Sequence, residues 1–473
     1  MRSPAAQGMT KQRLPGVVAL PGCGHRPCRA LSGEIFFSVA IGKNVIGPAR
    51  EAAYELLCRV EMEQAHSDDA LNSEVVSRLD PRDRNLATEI VYGTLRWRGW
   101  LDHILEGAVA GSWRGVRPET RILLRMTLYQ ISRMDRMPDH AAVHDGVELA
   151  KRSRSKRAAG FVNGVMRSLA RLRPWTAADF HRDCPMWARV SVPRWLWKRW
   201  QHRFGNDRAF EFALSLNRAP RAAFRRSSGL AADADLPSGF FPSELVPGAF
   251  LAGEGHPGRV EGGWFQDEAS QLIPHLFGPL EGARVWDACA APGGKTAILL
   301  ERCRPCGCVV SSDMDLTRAA RMAAALQGRA EEGPGIVVAD AALVPPFRRD
   351  FDAVLADVPC SGLGTLRRNP EIRWRVRPDQ LTEYSKRQAR LLESVSRAVR
   401  PGGLLLYSTC STEPEENEVV VERFLQAHSG FHIRKPEFPA GIGSWLDAQG
   451  LFRSYPGGRL WDGFFAALMV RDA

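Results

Sequence analysis

From about residue 280 onward, short apolar runs alternate with helical stretches, and this rhythm constrains the fold more than any other feature of the chain. Strands buried on both faces of a parallel sheet read as continuous apolar runs, with helical crossovers between them. Candidate strands are Arg284–Asp287, Val309–Ser312, Ile336–Val338, Ala353–Leu355 and Gly403–Ser408, with a final pair over Phe431–Ile433 and Phe464–Met469. The first strand runs into Val285-Trp-Asp-Ala-Cys-Ala-Ala-Pro-Gly-Gly-Lys-Thr296. There an acidic strand end is followed by a loop of small residues that opens a helix. Small residues let a ligand approach the backbone, and a helix N-terminus favours a carboxylate or phosphate.

Two look-alikes are excluded. A P-loop needs glycine five residues before the Gly-Lys pair, and Cys289 stands there. A dinucleotide fingerprint needs G-x-G-x-x-G, and only Gly293-Gly294 is present. An adenosyl cofactor with a carboxylate tail fits better. Three carboxylates support it: Asp313, Asp340 and Asp357 follow the second, third and fourth strands. In an open α/β sheet, ligands bind beyond the carboxyl ends of the strands. Asp313 is placed for ribose hydroxyls and Asp340 for the adenine edge. A single aspartate at a strand end is more often a helix cap, but three in register behind a glycine loop indicate a nucleoside site.

Two cysteines also follow apolar strands, in Asp357-Val-Pro-Cys360-Ser-Gly and Tyr407-Ser-Thr-Cys410-Ser-Thr. Strands lying side by side beside the first would bring both thiols to one pocket next to the cofactor. Alone, each would be a buried core cysteine more often than a nucleophile. As a pair they suit methylation of cytosine at carbon 5, which is too weak a nucleophile to take a methyl group directly. A thiolate adding to carbon 6 makes carbon 5 enamine-like; the hydrogen on carbon 5 then leaves and the thiol is eliminated. A free thiol has a pKa of roughly 8.5, so the site must lower it. Lys295 and a positive cofactor sulfonium are the candidates, and Asp357 is placed to hydrogen-bond the base as charge develops. The residues alone leave Cys360 and Cys410 equal candidates for the attack.

The first half of the chain is different. Residues 1–47 are rich in Gly, Pro and Arg without sustained period and read as a disordered leader. From Pro48 to about Leu172 the pattern is helical. Ala52, Ala53, Leu56, Leu57 and Val60 recur at helical spacing, Asp80-Pro81 forms a helix start, and further helices are expected over 118–132, 139–153 and 157–172. Lys151, Arg152, Arg154, Lys156, Arg157, Arg167, Arg171 and Arg173 crowd its last part with no acidic residue, which favours RNA phosphate contact over a solvated face. Residues 174–190, with Pro174 and Pro185, read as a linker. Trp195, Trp197, Trp200 and Phe204 among cations then suit either base stacking or packing on the next domain.

The net charge of +11 favours a polyanionic partner. No run approaches the roughly 18 to 20 apolar residues that span a bilayer, and the chain reads as cytoplasmic. Of the ten cysteines, Cys23 and Cys28 make at most half a zinc site and Cys303, Cys306 and Cys308 lack an evident fourth ligand, so no metal is expected.

The chain resembles the RsmB/Sun family of RNA cytosine-5 methyltransferases, which carry a NusB-like helical domain ahead of the catalytic one. The resemblance covers about residues 48–470. In the helical part it rests on Pro81-Arg-Asp-Arg84, Glu89-Ile-Val-Tyr-Gly-Thr-Leu-Arg96, His140-Ala-Ala-Val143 and Phe161-Val-Asn-Gly-Val-Met-Arg167. In the catalytic part it rests on Gly263-Trp-Phe-Gln-Asp-Glu-Ala-Ser270, the glycine loop, Asp357-Val-Pro-Cys-Ser-Gly362, Arg367-Arg-Asn-Pro370 and Ser408-Thr-Cys-Ser-Thr-Glu-Pro-Glu-Glu-Asn417.

The resemblance implies an α + α/β multidomain chain: a NusB-like all-α bundle over 48–173, a small subdomain over 191–262, and a Rossmann-like S-adenosylmethionine-dependent methyltransferase domain over 263–473. It implies cofactor binding along Cys289, Ala290, Ala291, Pro292, Gly293, Gly294 and Lys295 and at Asp313, Asp340 and Asp357. It makes Cys410 the nucleophile and gives Cys360 product release. RNA contact is expected at the basic block and at Arg367 and Arg368, the RNA being 16S rRNA, with the chain a monomer. Where the family usually carries Arg-Val-Asn, this chain reads Arg221-Ala-Ala-Phe-Arg-Arg-Ser227, which puts RNA contacts there in doubt. The rivals are a non-catalytic RNA-binding or assembly factor, a tRNA methyltransferase and a DNA cytosine methyltransferase.

Overall fold

The computed structural model describes residues 46–135, 137–152, 158–226, 239–253, 260, 262–327, 333–344, 347, 351–437, 445–456 and 461–473. Residues 1–45 of the proposed leader, with Cys23 and Cys28, lie outside them, as do Arg154, Lys156 and Arg157; its last two residues belong to the bundle, Ile46 buried in the core and Gly47 at the start of the first helix.

The N-terminal part is a helical bundle built on Pro48–Met62, Pro81–Arg96, Arg98–Ala108, Pro118–Arg133, Asp139–Arg152 and Ala159–Leu172. Its helices start where capping chemistry dictates. Asp80 accepts a hydrogen bond from Asp83 N at 2.8 Å, and Pro81 occupies the first turn, where a missing N–H costs nothing. Ala52, Ala53, Leu56, Leu57 and Val60 all face the core. Gly93 permits a close approach between helices: a Cβ there would stand 1.9 Å from the Tyr129 ring, whose hydroxyl donates to Glu89 at 2.5 Å. Arg125, also inside the bundle, is neutralised by Glu61 and Asp102, each at 2.6 Å.

Residues 174–190 are not an extended linker. They form short helices at Ala178–Asp183 and Met186–Arg189, and Trp175, Cys184 and Ala188 are buried in the bundle's own core. The two prolines that suggested a linker instead precede or open helical turns. The aromatic cluster resolves towards packing. Trp197 and Trp200 are buried, and Trp200 stacks edge-on against Phe212 at 4.7 Å and donates its indole N–H to Glu413.

A small antiparallel sheet follows, with strands β1 (Ala223–Arg226), β2 (Phe240–Pro242), β3 (Ala249–Ala252) and β4 (Gly263–Phe265) in the order β2-β3-β1-β4. In the Arg221–Ser227 stretch, Arg225 is buried in an ion pair with Glu301 at 2.5 Å, which makes it a packing residue.

The C-terminal sheet contains β5 (Arg284–Asp287), β6 (Cys308–Asp313), β7 (Gly335–Val338), β8 (Phe351–Asp357), β9 (Val399–Thr409), β10 (Phe431–Ile433), β11 (Phe452–Arg453) and β12 (Phe465–Arg471). Their order is β10-β12-β9-β8-β5-β6-β7, with β11 paired to β12. The five strands from β5 to β9 run parallel, and β12 and β10 add antiparallel to the edge. The chain steps from β5 outward through β6 and β7, then returns to the other side of β5 with β8 and β9. A ligand crevice therefore opens at the carboxyl ends of β5 and β8.

The segment that runs on from the Pro-Cys loop locks the bundle to the sheet domain. Ser67 donates its N–H and hydroxyl to Glu371 at 3.1 and 2.8 Å. The Trp374 indole donates to Leu95 O at 3.0 Å, and Arg375 donates to Val60 O and Ala65 O, each at 2.6 Å. Among the described residues no helix is long and apolar enough to cross a membrane.

Candidate active site

The loop after β5 forms the floor of the crevice. Gly293 caps the next helix with φ +101°, a conformation side chains resist, and a Cβ there would press to 2.9 Å on Met322. Asp287, Cys289, Ala290, Ala291, Pro292, Gly293, Gly294, Lys295 and Asp357 line a cavity of about 340 Å³ together with Trp264 and Gln266. A second cavity of about 500 Å³ shares Cys289, Ala291 and Asp357 and continues past Asp313, Asp340, Arg318 and Arg387 to Cys360 and Cys410. The residues singled out for cofactor binding and catalysis therefore meet along one cleft.

Asp313 is held by its own loop, accepting from Asp315 N at 3.0 Å, with Arg318 at 3.4 Å from its other oxygen. Asp340 accepts from Ala342 N at 2.9 Å. The cap of the helix after β6 is Asp315, which leaves Asp313 free of that role.

Asp287, the acidic end of β5, contributes more than the sequence suggested. Its Oδ2 accepts from Thr296 at 2.7 Å, while Oδ1 is buried without a hydrogen-bond partner. Burial pushes its carboxyl up to about 7; the Thr296 hydroxyl opposes the shift and Asp357 adds to it. A buried acceptor left unpaired costs roughly 1–3 kcal/mol. An ammonium group of a ligand in the cavity would satisfy it.

Lys295 stands over the Phe464 ring at 5.3 Å and donates to Asp357 Oδ2 at 2.7 Å. Burial alone would favour the neutral amine, but Asp357 outweighs it and holds the ammonium above its ordinary range. The other oxygen of Asp357 accepts from Ser408 Oγ at 2.6 Å, a contact that fixes the carboxylate plane.

The two thiols stand at the ends of adjacent parallel strands, Sγ to Sγ 3.2 Å. The hydrogen bond between them, followed by burial, pushes the Cys360 thiol well up, and either sulfur can be the donor. Cys289 is also pushed up, by burial, and is an inert lining residue. Cys303 is buried while Cys306 and Cys308 are exposed. Among the described residues no group of three or more His, Cys, Asp or Glu could hold a metal ion.

The expected RNA contacts divide. Arg167 is exposed and lines a groove with His140, His144 and Arg171. Lys151 and Arg152 are exposed, but each has a counter-charge outside the basic block, Glu148 one turn earlier on the same helix at 2.6 Å and Glu51 on the first helix at 3.9 Å. Such exposed pairs are weak, on the order of 0–1 kcal/mol, and phosphate can displace them. Arg367 is a correction: it has no exposed surface and donates to Ser215 O at 3.0 Å and Trp461 O at 3.5 Å. Arg368 is likewise engaged, by Asp267 and Asp462, each at 2.9 Å. Both brace the loop after Cys360, and neither presents a free cation.

Comparison with known proteins bears on this arrangement. The family model for 16S rRNA methyltransferase RsmB/F matches residues 274–470, and that for the NusB family matches 47–171. A probable ribosomal RNA small subunit methyltransferase B of Bacillus subtilis is 32% identical over 404 residues, covering 81% of this chain and 89% of the relative. Ribosomal RNA small subunit methyltransferase B of Vibrio cholerae is 31% identical, covering 92% and 99%. Among solved structures, PH0851 superposes with a TM-score of 0.76 at 25% identity, over 90% of this chain and 99% of that one. NSun6 from Pyrococcus horikoshii with SFG shares the fold at a TM-score of 0.51 and 16% identity.

Proposed function

The chain belongs to the RsmB/F family of S-adenosylmethionine-dependent methyltransferases, and from that premise we propose that it methylates carbon 5 of a cytosine in small-subunit ribosomal RNA. The observation that carries this reading is the pair of thiols 3.2 Å apart at the ends of β8 and β9, beside the Lys295–Asp357 ion pair. Methylation at an exocyclic nitrogen or a ribose hydroxyl needs no thiol; methylation at carbon 5 of a pyrimidine does. The names of the relatives in Bacillus subtilis and Vibrio cholerae support the substrate class.

The cofactor supplies an electrophilic methyl group on a sulfonium. The residues present fit it: Asp287 Oδ1 is an unpaired acceptor that would take its ammonium, and Asp313 and Asp340 line the same cleft where they would meet its ribose and adenine, with the backbone of Cys289–Gly294 lining the adjoining cavity. Cys410, as thiolate, adds to carbon 6 of the cytosine and leaves carbon 5 electron-rich. Carbon 5 takes the methyl group, its proton is lost to a base, and the bond between carbon 6 and Cys410 breaks. The thiol proton of Cys360 stabilises the departing sulfur. Asp357, held in plane by Ser408 and Lys295, hydrogen-bonds the base, and the Lys295 ammonium favours the attacking thiolate. The exposed face with Lys151, Arg152 and Arg167 holds phosphate.

The test is to incubate the protein with methyl-labelled cofactor and small-subunit rRNA, then digest the RNA to nucleosides. Label in 5-methylcytidine, lost in Cys410→Ala, is expected. Label in another nucleoside refutes the chemistry. Label in tRNA alone refutes the substrate class, and no label in any RNA returns the chain to the assembly-factor reading.

A further inference from the structure

The helix Pro378–Ser396 presents one face to the thiol end of the cleft. Leu391 on it is buried in the core of the sheet domain, and Gln388 donates to Pro359 O at 3.0 Å, next to Cys360. These two contacts fix the helix against the Pro-Cys loop. Arg387 and Leu391 stand one turn apart and both line the cavity of about 500 Å³ that also takes in Asp357, Cys360 and Cys410. Arg387 is half-buried, and its guanidinium crosses to Met314, the residue after Asp313, with Nη2 3.0 Å from Sδ.

A thioether is a weak acceptor, whereas a guanidinium carries five N–H donors. The other charged groups on the cavity wall have partners. Asp357 is paired with Lys295. Asp313 lies 3.4 Å from Arg318, which also donates to Ala291 O at 2.9 Å. Asp315 caps the helix Leu316–Leu326, and Asp340 accepts from Ala342 N at 2.9 Å. Among the described residues no carboxylate pairs with Arg387 and no carbonyl accepts from it. A half-buried cation without a counter-charge is costly in the folded chain. It also repels a cofactor whose sulfonium and ammonium outnumber its one carboxylate. It suits an anion that arrives with the substrate.

We propose that Arg387 is a phosphate-binding residue, which takes the phosphodiester of the nucleotide whose base enters the cleft. This deepens the cytosine-5 reading and rests on it. The thiols line the cavity, so a cytosine must leave its stack to meet them. Its phosphate stays at the rim with the RNA backbone. Contacts to phosphate fix register and orientation and carry no base preference. A planar guanidinium can hold two phosphate oxygens at once, and the contact with Met314 is weak enough to be exchanged for them. Arg387 thus fixes the backbone while Asp357 meets the base.

The test reads binding, not methyl transfer. The full-length protein is titrated with short single-stranded oligocytidylate and oligoadenylate by fluorescence anisotropy over a salt series, and with S-adenosylhomocysteine by calorimetry. In Arg387→Ala both oligomers are expected to bind about tenfold more weakly, with the salt slope lowered by roughly 0.7 and S-adenosylhomocysteine binding unchanged. Arg387→Lys keeps a charge that phosphate accepts and recovers part of the loss. Arg390→Ala is the control: it removes an exposed cation one turn further along the same helix, outside the cavity lining, and leaves binding within about twofold. Equal losses in Arg387→Ala and Arg390→Ala overturn the proposal, because the charge then acts only as part of a general field. So does an Arg387→Ala protein that binds both oligomers as the native protein does; weaker S-adenosylhomocysteine binding in that protein assigns the guanidinium to the cofactor instead. A native protein that binds the two oligomers alike counts against the cytosine reading alone, and the comparison of the variants still decides the phosphate site.

Discussion

Replacing Glu371 by alanine should loosen the joint between the bundle and the catalytic loop, and its size follows from the contacts. Glu371 is 2% exposed and Ser67 is fully buried, so neither finds water when the other is lost. Two hydrogen bonds to a carboxylate, at 3.1 and 2.8 Å, disappear, each worth roughly 1.5–3 kcal/mol. Glu371 is also the carboxylate that offsets the buried guanidinium of Arg373, whose pKa burial pulls down to about 9 with Arg96 adding to the effect. Removing one partner of a buried charged cluster costs about 3–5 kcal/mol; the terms overlap, and a loss of about 4 kcal/mol is expected. Glu371→Gln keeps one acceptor and should lose about half as much. Urea unfolding followed by helical circular dichroism, with the slope checked for constancy, measures both. A loss below about 1 kcal/mol for the alanine variant would refute the reasoning and show that the interface is held by the other contacts, those of Trp374, Arg375 and Arg96 with Arg367 O.

Two further predictions follow from the same geometry. Arg167→Ala should leave stability unchanged and lower the salt dependence of RNA binding by about one phosphate contact, whereas Arg367→Ala should destabilise the fold by several kcal/mol because it strands buried carbonyls; filter binding at several salt concentrations with parallel unfolding separates the two. Lys295→Met removes the cation beside the thiols and should move the rising limb of the rate–pH curve to higher pH, since a nearby ammonium favours the thiolate; an unshifted limb contradicts its role.

The parallel sheet and the glycine loop were legible because each carries a local signature. Buried strands are apolar runs, and Gly293 at φ +101° is required by the turn itself. The strands expected over 284–287 and 431–433 coincide with those observed, and the rest differ only at their ends. What was missed depends on partners distant in sequence. The antiparallel sheet of β1 to β4 has strands of three or four residues, too short for alternation to register. Pro174 and Pro185 resemble linker punctuation, yet they begin or precede short helices whose burial is decided by the bundle. Arg152 seemed to lack a counter-charge because Glu51 lies on the first helix. Arg367 reads as a surface cation in any local window; only the folded chain surrounds it with carbonyls. Glu416 stood inside a quoted motif without a role, and its hydrogen bonds to Ser411 and Ser361 need loops five and 55 residues away to meet.

We propose that two neighbouring thiols divide the work, with Cys410 attacking and Cys360 assisting release. The direct measurement is covalent trapping. Cys360→Ala is incubated with cofactor and substrate RNA, denatured, digested with protease and nuclease, and the cross-linked peptide is sequenced by mass spectrometry. A methylated cytosine adduct on the peptide carrying Cys410 is predicted, absent from Cys410→Ala. An adduct on Cys360 in the Cys410→Ala protein, with normal turnover by Cys360→Ala, would contradict the account and reverse the two roles.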